Sequence, residues 1–260
     1  MFAQDQTRRK AYRTQKQYRA DRNDFRHSKA TELQLTTRLR EIAVNVGHVI
    51  RRLYDGTLSS VYALNTTLQH YANLITPWAS AVMQTMHKEI AARNSRDWEK
   101  ASKQMGVEMR RTIASAPVGG TLRELLEYQV GLIRSIPLDA ARKVHDMTVE
   151  GLSSGVRAED LVTKILDLAP NITVARARLI ARTESARTAA LLTEVRAQHI
   201  GSTHYTWMAV MDGTTRPSHR ELHGHTFRWD SPPVSDPPNH RSNPGCIWNC
   251  RCVAVPLIPA

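Results

Sequence analysis

The chain has 260 residues, 41% of them hydrophobic, with 36 Lys and Arg against 24 Asp and Glu for a formal net charge of +12. That composition supplies a core for one large or two modest domains and excludes a disordered chain. The longest apolar run, around Leu74 to Met83, is broken by Pro77 and too short to cross a bilayer, so no membrane helix is expected.

Half of the charge excess sits at the start. Residues 1–30 hold nine Lys/Arg against three Asp/Glu, or +6, whereas residues 201–260 hold five against four, or +1. The opening residues carry these charges with no apolar run behind them, so no secretory signal is expected. Three cysteines in such a chain suit a reducing compartment, where metal ligation or free thiols outrank a disulfide framework. Arg9, Arg13, Lys16, Arg19, Arg22, Arg26 and Lys29 recur at steps of three and four, which on a helix spreads positive charge over one broad face. Tyr12, Tyr18 and Phe25 are interleaved. The segment reads either as a basic arm that lies along phosphates or an acidic partner, or as a solvated helix whose aromatics pack on the body.

Residues 31–170 read as a helical body. Leu35, Leu39, Ile42, Val46, Val49, Ile50 and Leu53 mark an amphipathic helix ending at Gly56, and a second runs from Thr57-Leu58-Ser59 to Pro77. Pro77, Pro117, Pro137 and Pro170 are expected to separate helices, since each removes a donor and restricts the residue before it. Ala79 to Ser115 is expected to be helical with an interruption near Asn94-Ser95-Arg96, followed by a loop at Pro117-Val118-Gly119-Gly120. Thr121 and Glu124 then have the spacing of a capping box opening a helix. Further helices are expected from Leu138 to about Leu152 and from Ala158 to Leu168, and another, capped by Asn171 or Thr173, should run to Gly201. The helical part contains no repeat, no phosphate-cradling glycine loop and no Gly-x-Ser-x-Gly elbow.

Residues 171–260 form the terminal region, and its chemistry is concentrated late. All three cysteines, five of the eleven histidines and three of the five tryptophans lie between 204 and 252. Alternation from His204 to Met211 suits a strand, Asp212-Gly213-Thr214-Thr215 a turn, and Pro217 the start of a short helix that would place His219 and His223 at i and i+4. In an extended chain Cys250 and Cys252 face one way and Arg251 the other. Three arrangements compete: a structural zinc on some four of His219, His223, Cys246, Cys250 and Cys252, a disulfide from Cys246 to Cys250 or Cys252, or packed free thiols. A catalytic metal is a weaker reading, because residues 219–223 read His-Arg-Glu-Leu-His and no acidic cluster is present for magnesium.

Trp207 followed by Asp212, Thr215-Arg216-Pro217, His219, Leu222, Gly224, a proline-rich loop and Cys250-Arg251-Cys252 resembles the terminal motif of the phage Mu F-like minor head proteins, the phage head morphogenesis family. Ala181-Arg182-Thr183-Glu184 with Ala189-Ala190 resembles that family's Arg-Thr-Glu helix, so the likeness runs from about Leu179 to Pro256. It implies a minor capsid protein needed for head assembly, of low copy number up to several copies per particle, associated with the portal and the capsid interior. Portal, major capsid or scaffold proteins and packaged double-stranded DNA would be its partners, and it would not be an enzyme. Arg182 and Glu184 read either as an ordinary helix surface with Glu184 paired to Arg187 at i+3 or, on that resemblance, as the residues that tie their helix to the terminal module. The expected architecture is mostly α: an elongated helical body with a small α+β C-terminal module. A metal-dependent nuclease and a sequence-independent DNA-binding module are the alternatives.

Overall fold

The computed structural model describes residues 25–103 and 105–258. Arg9, Arg13, Lys16, Arg19 and Arg22 lie outside the described residues. Arg26 lies ahead of the first described helix, and its backbone carbonyl accepts from Arg93 Nε at 3.1 Å.

The described chain is mostly α, as expected, with small strands only near its end. Helix α1 spans Lys29–Leu53, α2 Leu58–Leu74, α3 Thr76–Ala101, α4 Val107–Ala114, α5 Val118–Ser153 and α6 Ala158–His199. The first two follow the sequence pattern closely. Leu35, Leu39, Ile42, Val46 and Ile50 form the buried stripe of α1, Gly56 takes a positive φ of 88° in the connection, and Thr57 accepts from the Ser60 amide at 3.2 Å to cap α2. The α2–α3 break falls at Ile75, immediately before the Thr76-Pro77 start of α3.

Other prolines do not punctuate. Helix α5 continues through Pro137 and α6 through Pro170, so the breaks expected at both positions are corrected. One lost backbone donor is outweighed where a long apolar face is buried, and Ile133, Ile136, Ala140, Ala141 and Val144 supply that face around Pro137. The side chains expected to cap a new helix after Pro170 bond backward instead: Thr173 Oγ1 donates to the Ala169 carbonyl at 3.0 Å and Asn171 Nδ2 to the Asp167 carbonyl at 3.4 Å. Val118, Gly119 and Gly120 are the first turn of α5, so Thr121 is not its cap. The interruption expected near Asn94 lies further on, between Ala101 and Val107, with Gly106 at the N-cap of α4.

Two compact units interleave along the sequence. One comprises Lys29–Met86 and Glu124–Glu184 and is wholly helical; the other contains the described residues up to Ser28 with His87–Arg123 and Ser185–Ala260. Helix α6 crosses residue 170 without a break, and only its last third belongs to the second unit.

In that second unit β1 (His204–Met208), a short helix α7 (Pro217–Glu221), β2 (Thr226–Arg228), β3 (Val234–Asp236), β4 (His240–Arg241) and β5 (Val253–Pro256) follow α6. Strand β1 is central in an antiparallel sheet ordered β2-β1-β5, pairing Tyr205 with Phe227 on one side and with Pro256 on the other, while β3 and β4 form a separate pair. Alternation along β1 buries Tyr205 and Trp207. These side chains share a core with Phe25, Trp98, Ile113, Ala197, Trp229, Cys250 and Cys252. The terminal sheet is therefore built on the second half of α3, on α4 and on the end of α6.

Candidate metal centre in the terminal module

The terminal site starts from backbone pairing that extends β1. Trp207 N–H donates to the His225 carbonyl at 2.9 Å and Gly224 N–H to the Trp207 carbonyl at 2.8 Å, with Gly224 at a positive φ of 78°. This return brings α7 under the strand. Pro217 occupies its first turn, where a missing donor costs nothing, and Ser218 Oγ donates to the Ser235 carbonyl at 2.8 Å, which orients the helix. His219 is thereby buried, edge-on to Trp207 with ring centroids 5.3 Å apart.

From the far end of the chain, Cys250 and Cys252 turn to the same imidazole. His219 Nδ1 lies 3.3 Å from Cys252 Sγ and 3.7 Å from Cys250 Sγ, and the three ligand atoms all fall within 4.8 Å of one another. All three side chains are buried, and all three cysteines of the chain are free thiols. The amides of Gly245 and Cys252 each donate to Cys250 Sγ at 3.4 Å. Hydrogen bonding from Cys252, joined by His219, holds the Cys250 thiol well below its ordinary value despite burial. The Cys252 thiol is pushed up, first by its neighbour Cys250 and then by burial, while the Trp207 indole and the Val210 amide favour its charged form. Trp207 Nε1 acts there from outside ordinary hydrogen-bonding geometry. Protein atoms alone thus stabilise one negative charge on the pair and resist a second.

Two other residues proposed as ligands stand apart from this cluster. Helix α7 ends at Glu221, so His223 does not share a helical face with His219; its Nδ1 accepts from the Ala209 amide at 3.0 Å. Cys246 is fixed through its carbonyl, which accepts from Arg187 Nη2 at 2.9 Å and Nε at 3.2 Å. Among the described residues, the cluster is His219, Cys250 and Cys252.

Arg251 points the other way, as an extended chain requires, and grips Asp212 with both guanidinium ends, Nη1 to Oδ2 at 2.6 Å and Nη2 to Oδ1 at 2.7 Å. The Asp212 carboxylate also accepts from the Thr214 amide and from the Thr214 and Thr215 hydroxyls. Arg251 first, and Thr214 next, hold the Asp212 carboxyl below the usual carboxylate range. Arg216 donates to the Trp248 carbonyl at 3.1 Å, joining the start of α7 to the cysteine segment.

The Arg-Thr-Glu helix also makes contacts with the helical unit. Arg182 Nε approaches Glu32 Oε1 at 3.5 Å and Glu184 accepts from Gln129 Nε2 at 3.1 Å, both within the helical unit. Helix α6 holds the terminal segment through Arg187, which lies 5.8 Å from the Trp248 ring centroid besides binding the Cys246 carbonyl, and through Glu194, which accepts from Asn243 at 3.2 Å. Burial raises the Glu194 carboxyl, with Asn243 opposing it. The sequence reading missed both. Only their positions, about one and about three turns beyond the Arg-Thr-Glu motif, could have suggested them.

Fold and site together define a mostly helical protein whose β-built carboxy-terminal region carries a buried imidazole–dithiol cluster. Residues 142–255 match the family described as Phage Mu protein F like protein, a likeness that begins further upstream than the motif at Leu179 suggested. A protein of Haemophilus influenzae is 31% identical over 156 residues, covering 60% of this chain and 34% of that protein. One of Methanocaldococcus jannaschii is 28% identical over 112 residues, covering 43% of this chain and 17% of the other. The chain thus spans about a third of the first relative's length and less of the second's. No solved structure matches it.

Proposed function

We propose that this protein is a minor capsid and head-morphogenesis component of a tailed phage, associated with the portal and the capsid interior and located in the virion. The observation that carries this reading is the match of residues 142–255 to the Mu F-like family. Its mechanism is binding and assembly. Portal, major capsid or scaffold proteins are the protein partners, and packaged double-stranded DNA is met through the excess positive charge, half of which lies on residues 1–30. Among the described residues no helix is long and apolar enough to cross a membrane.

In this reading the buried cluster is a fastener, with structural zinc as its ion. A hydrolytic metal centre needs a position open to water and substrate, and His219, Cys250 and Cys252 are 2%, 2% and 6% exposed. Burial therefore favours a structural role over the nuclease alternative, and among the described residues no acidic group joins the three side chains, which points the same way.

The decisive experiment locates the protein in intact particles relative to the portal vertex and follows head yield when it is withdrawn. Density or crosslinks at the portal, with heads lost on withdrawal, are expected. Normal heads without the protein, or plasmid cleavage that His219→Ala abolishes, would replace the assembly reading.

A further inference from the structure

We infer that His219 Nδ1, Cys250 Sγ and Cys252 Sγ bind one thiophilic divalent ion, zinc under cellular conditions, which clasps the α7 segment to the chain entering β5. The inference deepens the fastener role given to this cluster and rests on it. It does not rest on the head-assembly role.

Three observations carry it. The first is spacing. Zinc bonds of about 2.3 Å to sulfur and 2.05 Å to imidazole nitrogen, at a tetrahedral angle, set nitrogen and sulfur about 3.6 Å apart and two sulfurs about 3.8 Å apart. The nitrogen–sulfur separations of 3.3 and 3.7 Å lie on either side of that figure, and no pair of ligand atoms is more than 4.8 Å apart. Small adjustments of side-chain torsion suffice to admit the ion.

The second is the direction of the donors. A neutral imidazole has one acceptor lone pair, so Nδ1 can take the proton of one thiol and not of both. Cys250 Sγ also receives two backbone N–H groups, from Gly245 and Cys252, both at 3.4 Å. Amides converging on a buried sulfur favour thiolate, the form that ligates metal. A cation replaces the thiol protons and neutralises the charge that the cage is arranged to receive.

The third is the placement of the ring itself. His219 is 2% exposed, and its Nε2 has no hydrogen-bond partner among the described residues. The polar contacts that direct the ring are therefore on the sulfur side. Among the described residues no other His, Cys, Asp or Glu joins the three. A bond from residue 219 to residue 250 closes a loop of 31 residues through a segment with few helices, which is where a crosslink adds most to order.

The test uses the full chain, stripped with chelator under reducing conditions and titrated with Co²⁺, then with Zn²⁺. One equivalent of Co²⁺ should give sulfur-to-cobalt charge-transfer and tetrahedral visible bands that one equivalent of Zn²⁺ removes, and Zn²⁺ should raise the thermal midpoint. Cys246→Ser and His223→Gln should retain the full band, whereas Cys250→Ser and His219→Ala should lose most of it. A wild-type chain that is folded by circular dichroism yet gives no sulfur-to-cobalt band overturns the proposal, as does equal loss in Cys246→Ser and Cys250→Ser. The wild-type titration decides even if Cys250→Ser fails to fold. Failure of the head-assembly reading would appear in particle localisation with the cobalt bands intact.

Discussion

Arg251 and Asp212 meet through two parallel hydrogen bonds of 2.6 and 2.7 Å on the side of the chain opposite the two thiols. One three-residue run thus fastens two loops: its sulfurs face His219 and its guanidinium locks the Asp212 turn. Because the folded carboxyl is depressed below its ordinary value, the pair's contribution is fully present above the ordinary aspartate range and is lost as pH falls through the depressed folded value. Asp212→Asn should therefore lower the urea midpoint at neutral pH, and the gap to wild type should narrow on acidification. A gap unchanged down to strongly acid pH would show that the charge is not what stabilises the turn.

Much of this arrangement was legible beforehand because it depends on short-range geometry. The i, i+2 spacing of Cys250 and Cys252 places both sulfurs on one side of an extended chain, and Pro217 starts the helix that carries His219. The α1 stripe was equally plain, since its period is that of a helix packed on one face. What failed was local inference about interruption. Pro137 and Pro170 read as breaks because propensity counts one residue at a time, while α5 and α6 bury continuous faces that outweigh a missing donor. His223 is a ligand candidate from its i, i+4 spacing to His219, which fails because the helix ends at Glu221, and Cys246 is one from its nearness in sequence to the other cysteines. Their partners, the Ala209 amide and the Arg187 side chain, are 14 and 59 residues away, and no spacing rule reaches that far.

Arg187 is the second fastening. Two of its hydrogen bonds end on the Cys246 carbonyl while its guanidinium lies near the Trp248 ring, so one side chain fixes the loop that leads into the cysteines. Arg187→Met keeps the aliphatic stem and removes both bonds, and it should destabilise the chain by about 2 kcal/mol, the scale of hydrogen bonds from a charged donor. Denaturant unfolding followed by tryptophan fluorescence measures this. A loss below about 0.5 kcal/mol, the level of an ordinary surface change, would remove Arg187 from the scaffold.

Beneath the sheet, Arg196 is 4% exposed and is held by Asn94 Oδ1 at 3.0 Å and Ser95 Oγ at 3.0 Å, while Asn94 also donates to Thr193 at 2.9 Å. Removing the Asn94 acceptor leaves Nε of a buried guanidinium without its partner. Asn94→Ala should cost about 3 kcal/mol, and Asn94→Leu combined with Arg196→Met should cost less than Asn94→Ala alone. A double variant that loses more than the single change would mean that packing, not the unpaired charge, sets the cost.

The basic arm yields a prediction of a different kind. Phe25 packs 5.0 Å from Trp98, so a truncation that spares this contact removes only residues 1–24. Seven Lys/Arg and three Asp leave with that segment. Affinity for double-stranded DNA should fall, and the slope of log affinity against log salt should flatten as phosphate contacts vanish. An unchanged slope would assign DNA contact to another surface.

Gly245 joins the carbonyl-fixed loop to the thiol cage. Its φ is +83°, and a Cβ there would meet Ala190 Cβ at 3.1 Å, the Ala186 carbonyl oxygen at 3.4 Å and the Cys252 carbonyl oxygen at 3.5 Å. A side chain would thus carry backbone strain of about 1–2 kcal/mol and press the loop away from α6, drawing the Gly245 amide off Cys250. Gly245→Ala should lower stability by about 2–3 kcal/mol, strain and crowding together. Ala190→Gly removes the nearest obstacle, so adding it should cost less in the Gly245→Ala background than in wild type, even though glycine weakens the helix. A double-mutant cycle measures the coupling directly. Strict additivity would show that the backbone conformation alone, and not the close approach of α6, demands glycine at this position.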